Sequence, residues 1–229
     1  MTRIVGIAVA VSLTVVAGVA QAVVIDDLTT PQTLSAGTGS SVAQGTVATG
    51  GGSLGGARTV ILTRDPSSSG SDSIAIGAAG AGADIASSFC CSAAIWTLDY
   101  ALTVPMDLTE GGTVDRLRFV VQASSELAVS ATLLTSDTAQ SFAEAQVGPS
   151  AAPGVIDLPF ASFVSSPYDP PDLQHIARVV IQFGFFSTHS QPLTARISAI
   201  ETVPEPAGLA LLALGALRKL RPRRVIRGE

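Results

Sequence analysis

Between Val23 and Val203 no window of helical length carries a capped apolar stripe of 3.6-residue period; short runs instead alternate apolar and polar residues and stop at Gly, Pro, Ser and Asp. Arg116, Leu117, Arg118 and Phe119 point alternately outward and inward, and Leu127, Val129, Ala131 and Leu133 share one face. The pattern predicts strands over Val23–Leu28, Ser41–Ala48, Arg58–Arg64, Ser73–Ile76, Ala94–Ala101, Val114–Gln122, Leu127–Leu134, Ser141–Gln146, Val155–Leu158, Ala177–Phe183 and Leu193–Thr202. Turns fall at Gly50–Gly56, Asp65–Gly70, Gly77–Ala83, Glu110–Gly112 and Ser165–Pro171. Many short strands at regular turn spacing specify an all-β chain, a single β-sandwich or barrel. About 180 residues lie between the two ends, which suits one domain better than two.

Charge is partitioned along the chain. Six arginines face sixteen carboxylates between Val23 and Val203, so this body carries a net charge of 6 − 16 = −10, against −5 for the whole chain. Such a body excludes nucleic acid as a partner, because phosphate binding needs clustered Lys and Arg, and it disfavours adhesion to anionic lipid. Only Cys90 and Cys91 are present and they are adjacent. They make no spaced disulfide framework and no C-x-x-C metal pair. Two small buried thiols, a vicinal disulfide and contacts between chains all stay open.

Both ends read as addresses. Arg3, the uncharged apolar run Ile4–Val19 and the small-x-small group Ala20-Gln21-Ala22 have the order of a secretory leader, 1–22, with cleavage after Ala22. The C-terminal segment 203–229 has three parts: Val203-Pro204-Glu205-Pro206, the apolar stretch Ala207–Leu217, and a basic run with Arg218, Lys219, Arg221, Arg223 and Arg224. Prolines keep the first part extended, and the arginines favour the cytoplasmic side of a membrane. The apolar stretch rises only about 16 Å as a helix, against a hydrocarbon core of about 30 Å, so it makes a short anchor. In this order the segment resembles the PEP-CTERM sorting signal of bacterial surface proteins. That resemblance implies export by the translocon, leader removal by signal peptidase and recognition of the tail by an integral-membrane exosortase. The chain would be held briefly at the inner membrane, then released to the cell surface or extracellular matrix.

The body, 23–202, carries four further motifs: Ile25-Asp26-Asp27, Leu54-Gly55-Gly56-Ala57-Arg58, Asp107-Leu108-Thr109-Glu110-Gly111-Gly112 and Leu158-Pro159-Phe160-Ala161-Ser162-Phe163. In this order they resemble a group of PEP-CTERM-bearing proteins of unknown activity. The closing part, through Asp172-Leu173, Ile176 and Ile197–Ile200, is similar to galactose-binding-like jelly rolls. That likeness implies a jelly-roll-like sandwich and, in many members, a carboxylate in the final strand beside a structural calcium. Ser198 stands nearest that position here, so no cofactor is assigned.

Chemistry-bearing residues are sparse. Gly51-Gly52-Ser53-Leu54-Gly55 satisfies G-x-S-x-G, but it lies in a glycine tract followed by a strand, where a nucleophile elbow needs a strand before it and a helix after it. Asp169, Asp172 and His175 share a Pro-rich loop, and His189 is the other histidine. Asp26 and Asp27 are adjacent on a strand and so face opposite sides. Trp96 and Tyr100 share a face: exposed, they would stack on sugar rings; flanked by Ile95 and Leu98, they suit a core. No catalytic residue and no metal ligand is assigned. The leading expectation is an exported, non-catalytic surface or matrix protein. The alternative is a carbohydrate-binding module that contacts extracellular polysaccharide through Trp96 and Tyr100, and a secreted hydrolase comes third.

Overall fold

The computed structural model describes residues 22–88, 94–135, 140–166, 172–185 and 192–204. Expectations resting on Ala20, Cys90, Cys91, Asp169, His189, Glu205, Pro206 and the basic run from Arg218 lie outside these residues. Among the described residues fourteen strands occur in chain order: β1 (Val24–Asp26), β2 (Gln32–Ala36), β3 (Val42–Ala48), β4 (Ala57–Thr63), β5 (Asp72–Ile76), β6 (Ala83–Ser87), β7 (Ile95–Met106), β8 (Val114–Ala123), β9 (Leu127–Thr135), β10 (Gln140–Val147), β11 (Ser150–Pro159), β12 (Val164–Ser166), β13 (Ile176–Phe185) and β14 (Leu193–Pro204). Two antiparallel seven-stranded sheets result. The first runs β11-β8-β14-β6-β5-β2, with β1 added beside β14; the second runs β12-β10-β9-β13-β7-β4-β3. The chain is a β-sandwich, as its alternation predicts, of the jelly-roll-like kind that the resemblance implies. Among the described residues the only helical turns are two short 3-10 segments, Leu54–Gly56 and Phe160–Ser162.

The inner faces form one core. From the first sheet come Ile74, Ile85, Leu117, Phe119, Val121 and Ile197; from the second come Val60, Leu98, Val129, Val179, Ile181 and Phe183. Phe119 and Phe183 meet across the sheets edge to face, with centroids 6.4 Å apart. Trp96 on β7 crosses the same gap: its Nε1 donates to the Ser73 carbonyl of β5 at 2.9 Å.

Buried arginines tie the sheets at both ends of β4. Arg58, Val60, Leu62 and Arg64 share the inward side of that strand by its two-residue period. Arg58 Nη1 lies 2.7 Å from Asp26 Oδ2 of β1, and its Nη2 donates to the Thr30 carbonyl at 2.7 Å. Arg64 lies 3.2 Å from Asp72 of β5 and donates to the carbonyls of Ala36, Ser68 and Gly70. The other four arginines of the body also pair with aspartate: Arg116 and Arg118 with Asp157, Arg178 with Asp99, and Arg196 with Asp84.

Three strands escape the sequence pattern. In β6, Ala, Asp and Ser mute the alternation, yet the strand pairs on both sides, with β5 and β14. In β2, Leu34 is the one large apolar residue, and β12 has only three residues. β7 continues through Pro105 to Met106, past the expected end at Ala101, and a bulge lies between its pairings with Ile176 and Arg178. The body also runs past its expected limit at Thr202. β14 holds Val203 opposite Arg116 and Pro204 opposite Val114, so half of the Val203–Pro206 motif belongs to the sandwich.

Tyr100 supplies a pH test. Burial, with the Asp26 carboxylate beside it, pushes its hydroxyl well above the ordinary tyrosine range. A pKa raised on folding gives stability that is intact below the unfolded value, about 10, and is lost as pH climbs beyond it. Unfolding free energy should therefore fall above about pH 10, by up to about 1.4 kcal/mol per pH unit. Tyr100→Phe should flatten this limb in denaturant titrations at pH 9 to 11; an unchanged slope would contradict the assignment.

Candidate functional site

The outward side of the first sheet carries a groove of about 670 Å³. Register builds it. Gln122 of β8 lies opposite Arg196 of β14, which lies opposite Asp84 of β6. On the neighbouring row Thr194 faces Ala86, and the start of β11, Ser150 and Ala151, closes the other side. Arg196 Nη1 lies 2.7 Å from both Asp84 oxygens, and its Nη2 donates to the Ala81 carbonyl at 3.0 Å. Gln122 Nε2 donates to the Ala151 carbonyl at 2.6 Å. Hydroxyls of Ser124, Ser150 and Thr194, an amide and a compensated ion pair thus border a floor of small residues. Such a surface offers donors and acceptors without net charge, which suits a neutral polar ligand. Arg196 and Pro204 are eight residues apart on β14, so the groove lies about 27 Å from the strand's C-terminal end.

A smaller hollow of about 320 Å³ lies on the outward side of the second sheet. There Glu144, Ser130 and Gln182 stand in one row across β10, β9 and β13, beside Ile95 and Phe185.

Trp96 and Tyr100 do not line either site. Both are fully buried, at 0% exposure, and this corrects their candidacy as sugar-stacking residues. The two-residue period that puts them on one face puts that face inward. Phe185 caps Trp96 edge-on at 5.6 Å, and the Tyr100 hydroxyl donates to Asp26 Oδ2 at 2.8 Å.

The motifs of the body prove to be joints. Asp26 points inward and accepts from Arg58, Tyr100 and the Leu28 amide, whereas Asp27 accepts from the Thr29 amide and hydroxyl. Gly55 has φ +71°, and a Cβ there would lie 2.4 Å from the Ala101 carbonyl oxygen. Ser53 precedes that 3-10 turn and bonds the Thr49 hydroxyl, so it stands on no strand-to-helix elbow. Asp107 Oδ1 accepts from the Thr109 amide and hydroxyl, and its Oδ2 accepts from the Gly111 amide. Burial opposes ionisation there, but these donors together hold the carboxyl below the usual range. Phe160 and Phe163 are buried as a tilted pair. His175 Nδ1 meets Asp172 Oδ2 at 2.7 Å, and this exposed contact depresses the carboxyl. Ser198 Oγ bonds the Val120 carbonyl at a β14 bulge. Among the described residues no three His, Cys, Asp or Glu side chains converge on a metal-sized point.

The residues bordering the groove were missed from sequence because Gln122, Thr194 and Arg196 read only as outward positions of ordinary strands. Knowledge of which strands are neighbours is needed to see them as one row.

No protein-family model matches the chain, and no curated protein matches its sequence. Among solved structures it is similar to the family 11 carbohydrate-binding module of the Clostridium thermocellum cellulase Lic26A-Cel5E (TM-score 0.43, 13% identity, 82% of this chain and 97% of that one). It is also similar to the family 30 carbohydrate-binding module of the Clostridium thermocellum cellulase Cel9D-Cel44B (0.45, 11%, 82% and 99%). An agarase, AgWH50C, aligns over 55% of this chain and 21% of its own, with a TM-score of 0.41 and 10% identity. At these values the likenesses carry no inference about ligand or activity.

Proposed function

We propose that the chain is an exported, non-catalytic β-sandwich carried to the cell surface or extracellular matrix by its C-terminal signal. The carrying observation is where the sandwich ends. β14 passes without a linker into the Val203–Pro206 motif, and β1, which follows the leader, starts beside it: Val24 pairs with Glu201. Both segments read as export signals thus leave from one end of one sheet. Ser53, Asp26 and Asp27 are occupied by structural bonds. Among the described residues no helix is long and apolar enough to cross a membrane.

Fractionation in the native host tests the sorting. Replacing Pro204-Glu205-Pro206 with alanines should leave export intact and hold the protein in the inner membrane, because alanine favours helix and extends the apolar segment outward. Deleting the chain from Arg218 should release it, unprocessed, into the periplasm, since the stop-transfer charges are gone. A triple-alanine protein that reaches the wild-type fraction at the wild-type mass would refute the sorting reading.

The groove favours a second, compatible reading: binding of a neutral polysaccharide. It lies at the end of the sheet away from both termini, so a membrane-tethered sandwich would hold it outward. Arg196→Ala and Gln122→Ala should each weaken retention on the bound glycan at least tenfold, about 1.4 kcal/mol, while leaving the melting temperature nearly unchanged. A glycan array on which the wild-type protein binds nothing would remove this reading and leave the sorting one untouched.

A further inference from the structure

Strand β1 is three residues long, yet it sets the residue that follows the expected leader cleavage against the base of the sorting motif. The Val23 nitrogen donates to Thr202 Oγ1 at 2.9 Å, and the Thr202 nitrogen donates to the Val23 carbonyl at 2.9 Å. Thr202 is fully buried. On its other flank β8 continues the ladder, with Leu117 opposite Thr202, Arg116 opposite Val203 and Val114 opposite Pro204. From Ile200 to Thr202, then, β14 has chain on both sides. Beyond it, among the described residues, only β8 remains, and Pro204 has no N–H to give.

We propose that the docked N-terminus sets the upstream limit of tail processing: the membrane enzyme cuts on the C-terminal side of Pro204, and bonds before it open only when β1 leaves β14. This rests on the sorting reading above. Proteases take their substrates as extended segments, and strand addition needs unpaired backbone donors and acceptors. Hydrolysis adds the hydroxyl of water to the carbonyl carbon and a proton to the departing nitrogen as the C–N bond breaks. At Glu201 and Thr202 the backbone is already held in the sheet, and attack is blocked. Leader removal turns the Val23 nitrogen from an amide into an ammonium, so the donor to Thr202 becomes charged, and charged donors make stronger hydrogen bonds. The first processing event thereby tightens the site of the second.

Two measurements on the full chain decide this. In the native host, intact-mass analysis should place the wild-type C-terminus at or beyond Pro204, while Thr202→Val, which removes the acceptor for Val23, should give ragged ends between Glu201 and Val203. In vitro, a Glu-specific endoprotease should cut the Glu201–Thr202 bond of Thr202→Val at least tenfold faster than that of the wild type, at a temperature where both remain folded by circular dichroism. A variant lacking Val23 and Val24 should behave like Thr202→Val. A wild-type product ending before Pro204, or equal Glu201 cleavage in all three proteins, overturns the proposal. A wild-type protein that keeps Glu229 in the host refutes the sorting reading, and the Glu201 cleavage rates then decide the clamp by themselves.

Discussion

Asp26→Ala should lower the unfolding free energy by about 3–5 kcal/mol, the cost of stranding one partner of a buried ion pair. Arg58 is completely enclosed, and without Asp26 its guanidinium keeps only Gln32 Oε1 and the Thr30 carbonyl. The Tyr100 hydroxyl and the Leu28 amide lose their acceptor in the same change. Because a domain holds only about 5–15 kcal/mol in total, the variant should be partly unfolded at 37 °C and recovered in low yield. Urea titration of the purified protein reads the loss. The double variant Asp26→Ala/Arg58→Met should recover part of it, since the lone charge is then gone. If Asp26→Ala falls within 1 kcal/mol of wild type, the pair is not the joint described above.

Trp96→Ala should cost a similar amount, about 3–5 kcal/mol, by opening a cavity in the centre of the sandwich. The indole fills the gap between sheets, bonds Ser73 across it and packs edge-on against Phe185. For a domain of this size the melting temperature should drop by about 10 °C or more. Calorimetry is the suitable readout, because Trp96 is the only tryptophan and its removal abolishes the intrinsic probe. In the wild type its emission should be blue-shifted and unaffected by added oligosaccharide. A Trp96→Ala protein of normal melting temperature that had lost glycan binding would instead place the indole in a ligand site.

The strand class of this chain was legible because mostly large apolar residues mark the inward positions of β4, β8, β9 and β13. It faded where the inward residues are small or polar, as in β6 with Ala83, Ile85 and Ser87. The motifs were visible as words but not as roles. Asp26 and Arg58 lie 32 residues apart, and only the packing of two sheets shows that one neutralises the other. Trp96 and Tyr100 show the same gap: shared facing is local information, whereas inside and outside are decided by the opposing sheet. The groove was hidden for a further reason, since its row crosses strands distant in sequence, from Asp84 to Arg196.

The pairing of every body arginine with an aspartate also governs how such molecules crowd together. Each pair cancels locally, so the net charge of 6 − 16 = −10 is carried by the carboxylates in excess of the arginines. Neighbouring copies held close together would then repel one another over about 8 Å at physiological salt, and over about 30 Å at 0.01 M ionic strength. The spacing of crowded copies becomes a property of the medium: dilute surroundings widen it, and brine or acid lets it shrink. The protein would set its distance from its neighbours through charge in excess of its arginines.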